Sequence, residues 1–139
     1  MSTAYAELTK AMQLYFDGFH NGDVETLKKV FHPNCHLISG TTGEMVDDPM
    51  PAVYERVKGR KSPAENGQVR YDQILSIDLA GPDCALVKVQ IGIEPKLFTD
   101  YLNFVKLDGE WRIASKVFTF VMVEAAAKAH ATPAAQAAE

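Results

Sequence analysis

The chain has 139 residues, 47 % of them apolar and 23 % charged, with a formal charge of −4. That is the make-up of one soluble domain with material for a real core, and its acidic balance gives no basis for a nucleic-acid partner. No stretch approaches the roughly 20 apolar residues of a membrane span, so no membrane partner is expected. The first residues lack the charged and apolar regions of a signal peptide, which leaves a cytoplasmic location as the expectation.

In chain order, Tyr5, Leu8, Met12, Tyr15, Phe16 and Phe19 recur at three- and four-residue steps and predict a first helix from about Thr3 to Asn21. Ser2 or Thr3 can cap its start, and Gly22 suits the left-handed position after its end. Asp23 predicts a cap for a second helix over Val24 to Phe31, stopped by Pro33. Cys35 to Ser39 reads as a short strand and Gly40 to Gly43 as a turn. Asp48-Pro49 then reads as a cap and first-turn proline for a third helix through Tyr54 to Gly59. The only local basic run, Lys58 to Lys61, reads as a solvated turn.

From Val69 onward the signal is β: Val69 to Leu79, Cys84 to Ile93, Phe98 to Leu107 and Glu110 to Val123. Turn residues separate these runs, so neighbours are expected to pair as an antiparallel meander. Cys35 and Cys84 both fall in strand-like runs and read as buried free thiols. Ala125 to Glu139 is alanine-rich with few apolar anchors, and is expected to be a disordered tail after a domain spanning 1–124. Helices first and strands last predict an α+β fold: a strongly curved, cone-shaped antiparallel sheet with three N-terminal helices closing a pocket.

Gln13 to Asp23, Leu27 to Pro33 and Phe98 to Phe118 together resemble the nuclear transport factor 2-like superfamily, and within it the bacterial subgroup that carries a lumazine-binding label. The resemblance covers about Ala4 to Val123. It implies the cone and a homodimer built on the outer face of the sheet. Ketosteroid isomerases share this fold and work with an Asp base and an oxyanion hole of Tyr and protonated Asp. Laid along this chain, the oxyanion Tyr falls on Tyr15, the oxyanion Asp on Asp100 and the base on Ser39. A serine without an adjacent base accepts protons poorly, so the resemblance implies the pocket rather than that chemistry.

Asp100 is the most informative candidate. A type I turn with Gly109 as a bulge places Lys106 opposite Glu110 and Asp100 opposite Lys116. A two-residue loop instead pairs Leu107 with Glu110 and sets Tyr101 opposite Lys116. The first agrees with the isomerase positions at Asp100 and Phe118 and is preferred. It puts a charged pair on the pocket floor and sends Trp111 and Ile113, with Tyr101 and Val105, to the outer face, where a second subunit would cover them. Tyr15, Phe19, Tyr54, Ser39, Lys116 and Phe118 are expected to line the pocket with Asp100, and His32 and His36 to stand near its rim. His32, Cys35 and His36 lack metal-ligand spacing, so no metal is expected. No phosphate loop, nucleophile elbow or cofactor motif is present, so no cofactor is expected.

Three readings follow: a homodimeric pocket protein for a compact polar or aromatic organic molecule; a cofactor-independent lyase, isomerase or cyclase using Asp100 or His36 as acid or base; and a structural dimer module.

Overall fold

A computed structural model describes residues 3–124. The tail expected from Ala125, and Ser2 as a cap, lie outside the described residues. Helix α1 (Ala4–Asn21) starts where the Thr3 hydroxyl accepts from the Ala6 amide and ends at Gly22, whose φ of 64° is the left-handed conformation that glycine adopts without strain. Its apolar stripe, Leu8 to Phe19, is buried, although Tyr5 at its start is 54 % exposed.

Helix α2 (Val24–Leu27) is one turn long, capped by the Asp23 carboxylate. It does not continue to Phe31 as expected. The Val30 carbonyl and the His32 amide are taken by Ile113, at 2.8 and 3.1 Å, and Phe31 forms an isolated parallel bridge with Ile113. Strand β1 (His36–Ser39) follows, then β2 (Val46–Pro49), which the sequence did not reveal. Asp48 and Pro49 therefore end a strand rather than open a helix. Helix α3 (Met50–Gly59) begins after Pro49 with no side-chain cap, and Pro51 sits in its first turn, where no amide is needed.

The other strands are β3 (Gln73–Leu79), β4 (Cys84–Ile93), β5 (Lys96–Leu107) and β6 (Glu110–Met122). They form one open, strongly curved sheet in the order β2-β1-β6-β5-β4-β3. The meander β3–β6 is antiparallel, as expected. The sheet as a whole is mixed, because β1 joins β6 in parallel through Leu37–Lys116 and Ile38–Val117.

The β5–β6 hairpin has the two-residue loop of the second alternative rather than the preferred one, but neither alternative gives Lys116 its partner. Asp108 (φ 51°) and Gly109 (φ 79°) make a two-residue loop with both central residues left-handed, so Leu107 pairs with Glu110. The register then shifts: Phe104 pairs with Ile113 but Asn103 with Ser115, leaving Ala114 as an extra residue in β6. Beyond it Leu102 opposes Lys116 and Asp100 opposes Phe118.

That extra residue reverses the phase of β6. Trp111 and Ile113 are buried on the same inner face as Lys116 and Phe118, not on the outer face. They pack with Phe104 and Leu102 of β5, with Val87 and Val89 of β4, and with the stripe of α1 in one core. The outer face carries Tyr101 and Val117, opposite one another and 44 and 43 % exposed. Cys35 is buried, but Cys84 is exposed at the start of β4. Among the described residues no helix is long and apolar enough to cross a membrane.

Candidate functional site

The inner sheet face closes onto α1 near the hairpin turn. Toward the other end of β5 and β6 it opens into a cleft facing α3. The open part measures about 420 Å³ and is walled by Ile93, Phe98, Phe118 and Phe120, with Ser39, Asp48, Glu94 and Lys96 at its edges. A narrow recess of about 60 Å³ leads inward past Phe19, Leu37, Val53 and Val57 to Lys116. Arg56 and Arg60 line both.

Under that recess lies a buried polar cluster. Asp100 is fully buried; its Oδ2 accepts a hydrogen bond from the Tyr15 hydroxyl and lies 3.4 Å from Lys116 Nζ. The ion pair forms without a directly opposed register. Lys116 faces Leu102, and Asp100 is the diagonal neighbour two residues along the same face. The ammonium also sits among three rings, 4.9 Å from the centroid of Phe19, 5.2 Å from Tyr15 and 5.3 Å from Phe118. Each aromatic face presents negative density to it.

Burial, then the Asp100 charge, raises the Tyr15 pKa well above an ordinary phenol. Burial lowers the pKa of Lys116, with Asp100 opposing. Neighbouring Cys35 is pushed up to about 12 by burial, with the Lys116 charge opposing. Asp100 Oδ1 has no hydrogen-bond partner among the described residues.

This is not an oxyanion hole. Tyr15 spends its donor on Asp100, and both are sealed beneath the recess, so neither presents a hydrogen-bond donor to the cleft. Ser39, at the base position, donates to Thr41 Oγ1 at 3.1 Å and accepts from the Thr41 amide at 3.2 Å. Among the described residues no carboxylate or imidazole is hydrogen-bonded to it.

Of the expected lining residues, Phe19 and Lys116 reach the recess, Ser39 the open cleft and Phe118 both. Tyr15 and Asp100 are sealed beneath. Tyr54 faces the other side of α3, in a separate depression with Lys28, Pro33 and Met50. Burial raises its phenol to about 12. His36 is half-exposed and bonds Asp47 at 2.6 Å across the β1–β2 pair, and His32 Nδ1 accepts from the Asn34 amide at 3.0 Å. Neither histidine lines the cleft, because β1 turns His36 away from the buried Leu37. Among the described residues no three His, Cys, Asp or Glu side chains gather to hold a metal ion.

Arg56 and Arg60 were missed. Val53, Val57 and Arg60 follow one helical stripe, so the side chain after Gly59 turns inward rather than into a solvated loop. A larger depression of about 590 Å³ between α1 and β3 is shallow and open. Its Arg70 already bonds Asp17 at 2.8 Å and Asp72 at 2.6 Å, which leaves it little to offer a ligand.

A curved sheet wrapped on three helices, with a cleft at the open end, defines a nuclear transport factor 2-like protein. The chain belongs to the family described as "Putative lumazine-binding", which matches residues 3–119. A solved nuclear transport factor 2-like protein of unknown function from Silicibacter pomeroyi superposes with a TM-score of 0.77 at 25 % identity, covering 87 % of this chain and 100 % of that one. One from Shewanella baltica gives 0.76 at 18 % identity, covering 87 % and 98 %. Among characterised relatives, Aldolase FrzH of a Cladobotryum species is 26 % identical over 119 residues, 84 % of this chain and 91 % of that protein.

Proposed function

We propose that the protein binds a compact, partly aromatic and polar organic molecule in the cleft between α3 and the distal ends of β4–β6. The observation that carries this is the cleft's composition: Phe98, Phe118 and Phe120 form an aromatic wall, and charged groups stand at its floor and rim. Apolar walls with a few placed polar groups are how small-molecule sites combine affinity with orientation. As a second part of the proposal, two copies pair through the outer sheet face, where Tyr101, Val117 and Val121 are exposed together. The test is thermal unfolding in the presence of one- and two-ring polar aromatics. Stabilisation by at least one, lost in Phe118→Ala, is the expected result. No stabilisation by any ring compound overturns the reading.

One observation favours a second reading, a cofactor-independent lyase: the relative named as an aldolase. Lys116 then becomes the group that meets the substrate, since its amine reaches the recess while Asp100 lies sealed behind it. Asp100 acts through Lys116 by holding its proton, and no pocket histidine takes part. Carbon–carbon bond cleavage or formation that vanishes in Lys116→Met, with the variant still folded, would replace the binding reading by this one.

A further inference from the structure

The charges around the cleft do not balance. Lys116 is answered by Asp100 at 3.4 Å. Arg56 Nη1 donates to Asp48 Oδ2 at 3.2 Å. Glu94 Oε2 accepts from the Tyr71 hydroxyl at 2.6 Å. Arg60 lines both the open cleft and the recess and makes no hydrogen bond or ion pair among the described residues, whereas Lys96, exposed at the cleft edge, lays its ammonium 4.6 Å from the centroid of the Phe120 ring. Arg60 is half-buried at the end of α3, one helical turn beyond Arg56.

Burial, and then the neighbouring Arg56 charge, act against its cation. A guanidinium nevertheless keeps its proton, so the charge and its five donors stay in place. A partly desolvated cation beside a second cation is an unfavourable arrangement for stability alone. It becomes favourable when an anion enters. The fork of a guanidinium matches a carboxylate in two parallel hydrogen bonds.

From this, and resting on the binding reading above, we infer that the ligand carries a carboxylate, held by Arg60 where the open cleft narrows to the recess, with its ring against Phe98 and Phe118. Among the described residues Arg60 is the one partly buried cation of the cleft without an anionic partner, Lys96 being exposed at the edge, and this suits a monoanion rather than a phosphate dianion. The apolar wall excludes small inorganic anions as the main occupant, since they would leave that wall bare.

The experiment pairs each aromatic carboxylate with its neutral amide, 4-hydroxybenzoate with 4-hydroxybenzamide and 2-naphthoate with 2-naphthamide. The corresponding aryl phosphates form a third arm. Affinities are measured by calorimetry and thermal shift on the full chain. The carboxylate of at least one pair is expected to bind about tenfold or more tightly than its amide, with an affinity that falls as salt rises. Arg60→Gln should erase that preference, and Arg60→Lys should keep part of it. Without ligand, Arg60→Met should melt at a higher temperature than the parent, because it removes a charge that nothing answers. Equal binding of carboxylate and amide leaves the pocket standing and overturns the carboxylate. Tighter binding of the phosphate overturns it in favour of a dianion. A lower melting temperature for unliganded Arg60→Met makes Arg60 structural and also overturns it. If no member of any pair binds, the pocket reading falls with it.

Discussion

The two halves of the β5–β6 hairpin use the same inner face in opposite ways, and Ala114 divides them. On the turn side, Trp111, Ile113 and Phe104 fill the core, and even the polar groups are tied off. Glu7 of α1 accepts from Lys106 Nζ at 3.0 Å and from Trp111 Nε1 at 3.1 Å. On the far side, Phe98, Phe118 and Phe120 wall an open cleft, and among the described residues Arg60 lines it without an ionic partner. One half is complete in its own contacts and the other is not. That difference locates function more firmly than the buried Tyr15–Asp100–Lys116 cluster, whose groups largely answer one another.

The largest effect should come from orphaning the buried charge where the halves meet. Lys116→Met leaves Asp100 fully buried without its cation, which costs about 3–5 kcal/mol against a total stability of about 5–15 kcal/mol for a domain. Deleting Ala114 should cost far less: Ser115 then follows Ile113 directly, the pairs Phe104–Ile113 and Asn103–Ser115 become consecutive, and Lys116, Phe118 and Phe120 keep the inner face. Urea unfolding of the two variants checks this. An Ala114 deletion as costly as Lys116→Met would mean that the bulge itself, rather than the charge pair, holds the halves together.

Two truncations sharpen the contrast. Phe104→Ala empties a fully buried site on the closed half and should lower stability by about 3–5 kcal/mol in urea unfolding, leaving the cleft's residues in place. Phe120→Ala, on the partly exposed wall, should cost less than about 1.5 kcal/mol while abolishing stabilisation by aromatic ligands. If the two variants lose equal stability, the halves are energetically alike and the division fails.

How much of this could be read in the sequence follows from how local each feature is. The helix stripe from Leu8 to Phe19, the Asp108-Gly109 turn and the β4 boundaries depend on periodicity and turn residues within a few positions, and were legible. Ala114 was not, because Ile113-Ala-Ser-Lys116 accepts either phase. The available signal was that Trp111 and Ile113 have one parity and Phe118 and Phe120 the other, each large enough for a core, which requires a bulge between them. Strand β2 exists only through pairing with β1, and its Asp47, Asp48 and Pro49 are poor strand formers. Arg60 lies one residue past a glycine, where a helix stripe is hard to tell from a loop. The candidate site was half legible for the same reason: Lys116 and Phe118 sit on a recognisable strand, whereas Arg56 and Arg60 face the cleft only because of how α3 docks.

The last expected effect is confined to alkaline pH and separates the halves by titration. Cys35, beside Lys116, has its thiol raised from 9.0 to about 12, and Tyr15 is raised well above 10.0. Between an unfolded and a raised folded pKa, the folded chain binds more protons than the unfolded one. Stability contributed by these groups is therefore full below about pH 9 and lost as pH rises toward 12. Lys116 acts the other way: its lowered folded pKa makes stability rise with pH until 10.5, where the unfolded amine also loses its proton. The far half should thus give a shallow slope between pH 9 and 10.5 and a steeper loss above it. Cys35→Ala should reduce the loss by up to about 1.4 kcal/mol per pH unit between 9 and 12. Phe104→Ala should displace the whole curve downward without changing its shape, because no titrating group of the cluster sits on the turn side. A curve whose shape changes in Phe104→Ala while Cys35→Ala leaves it untouched would show that the two halves of the hairpin titrate as one.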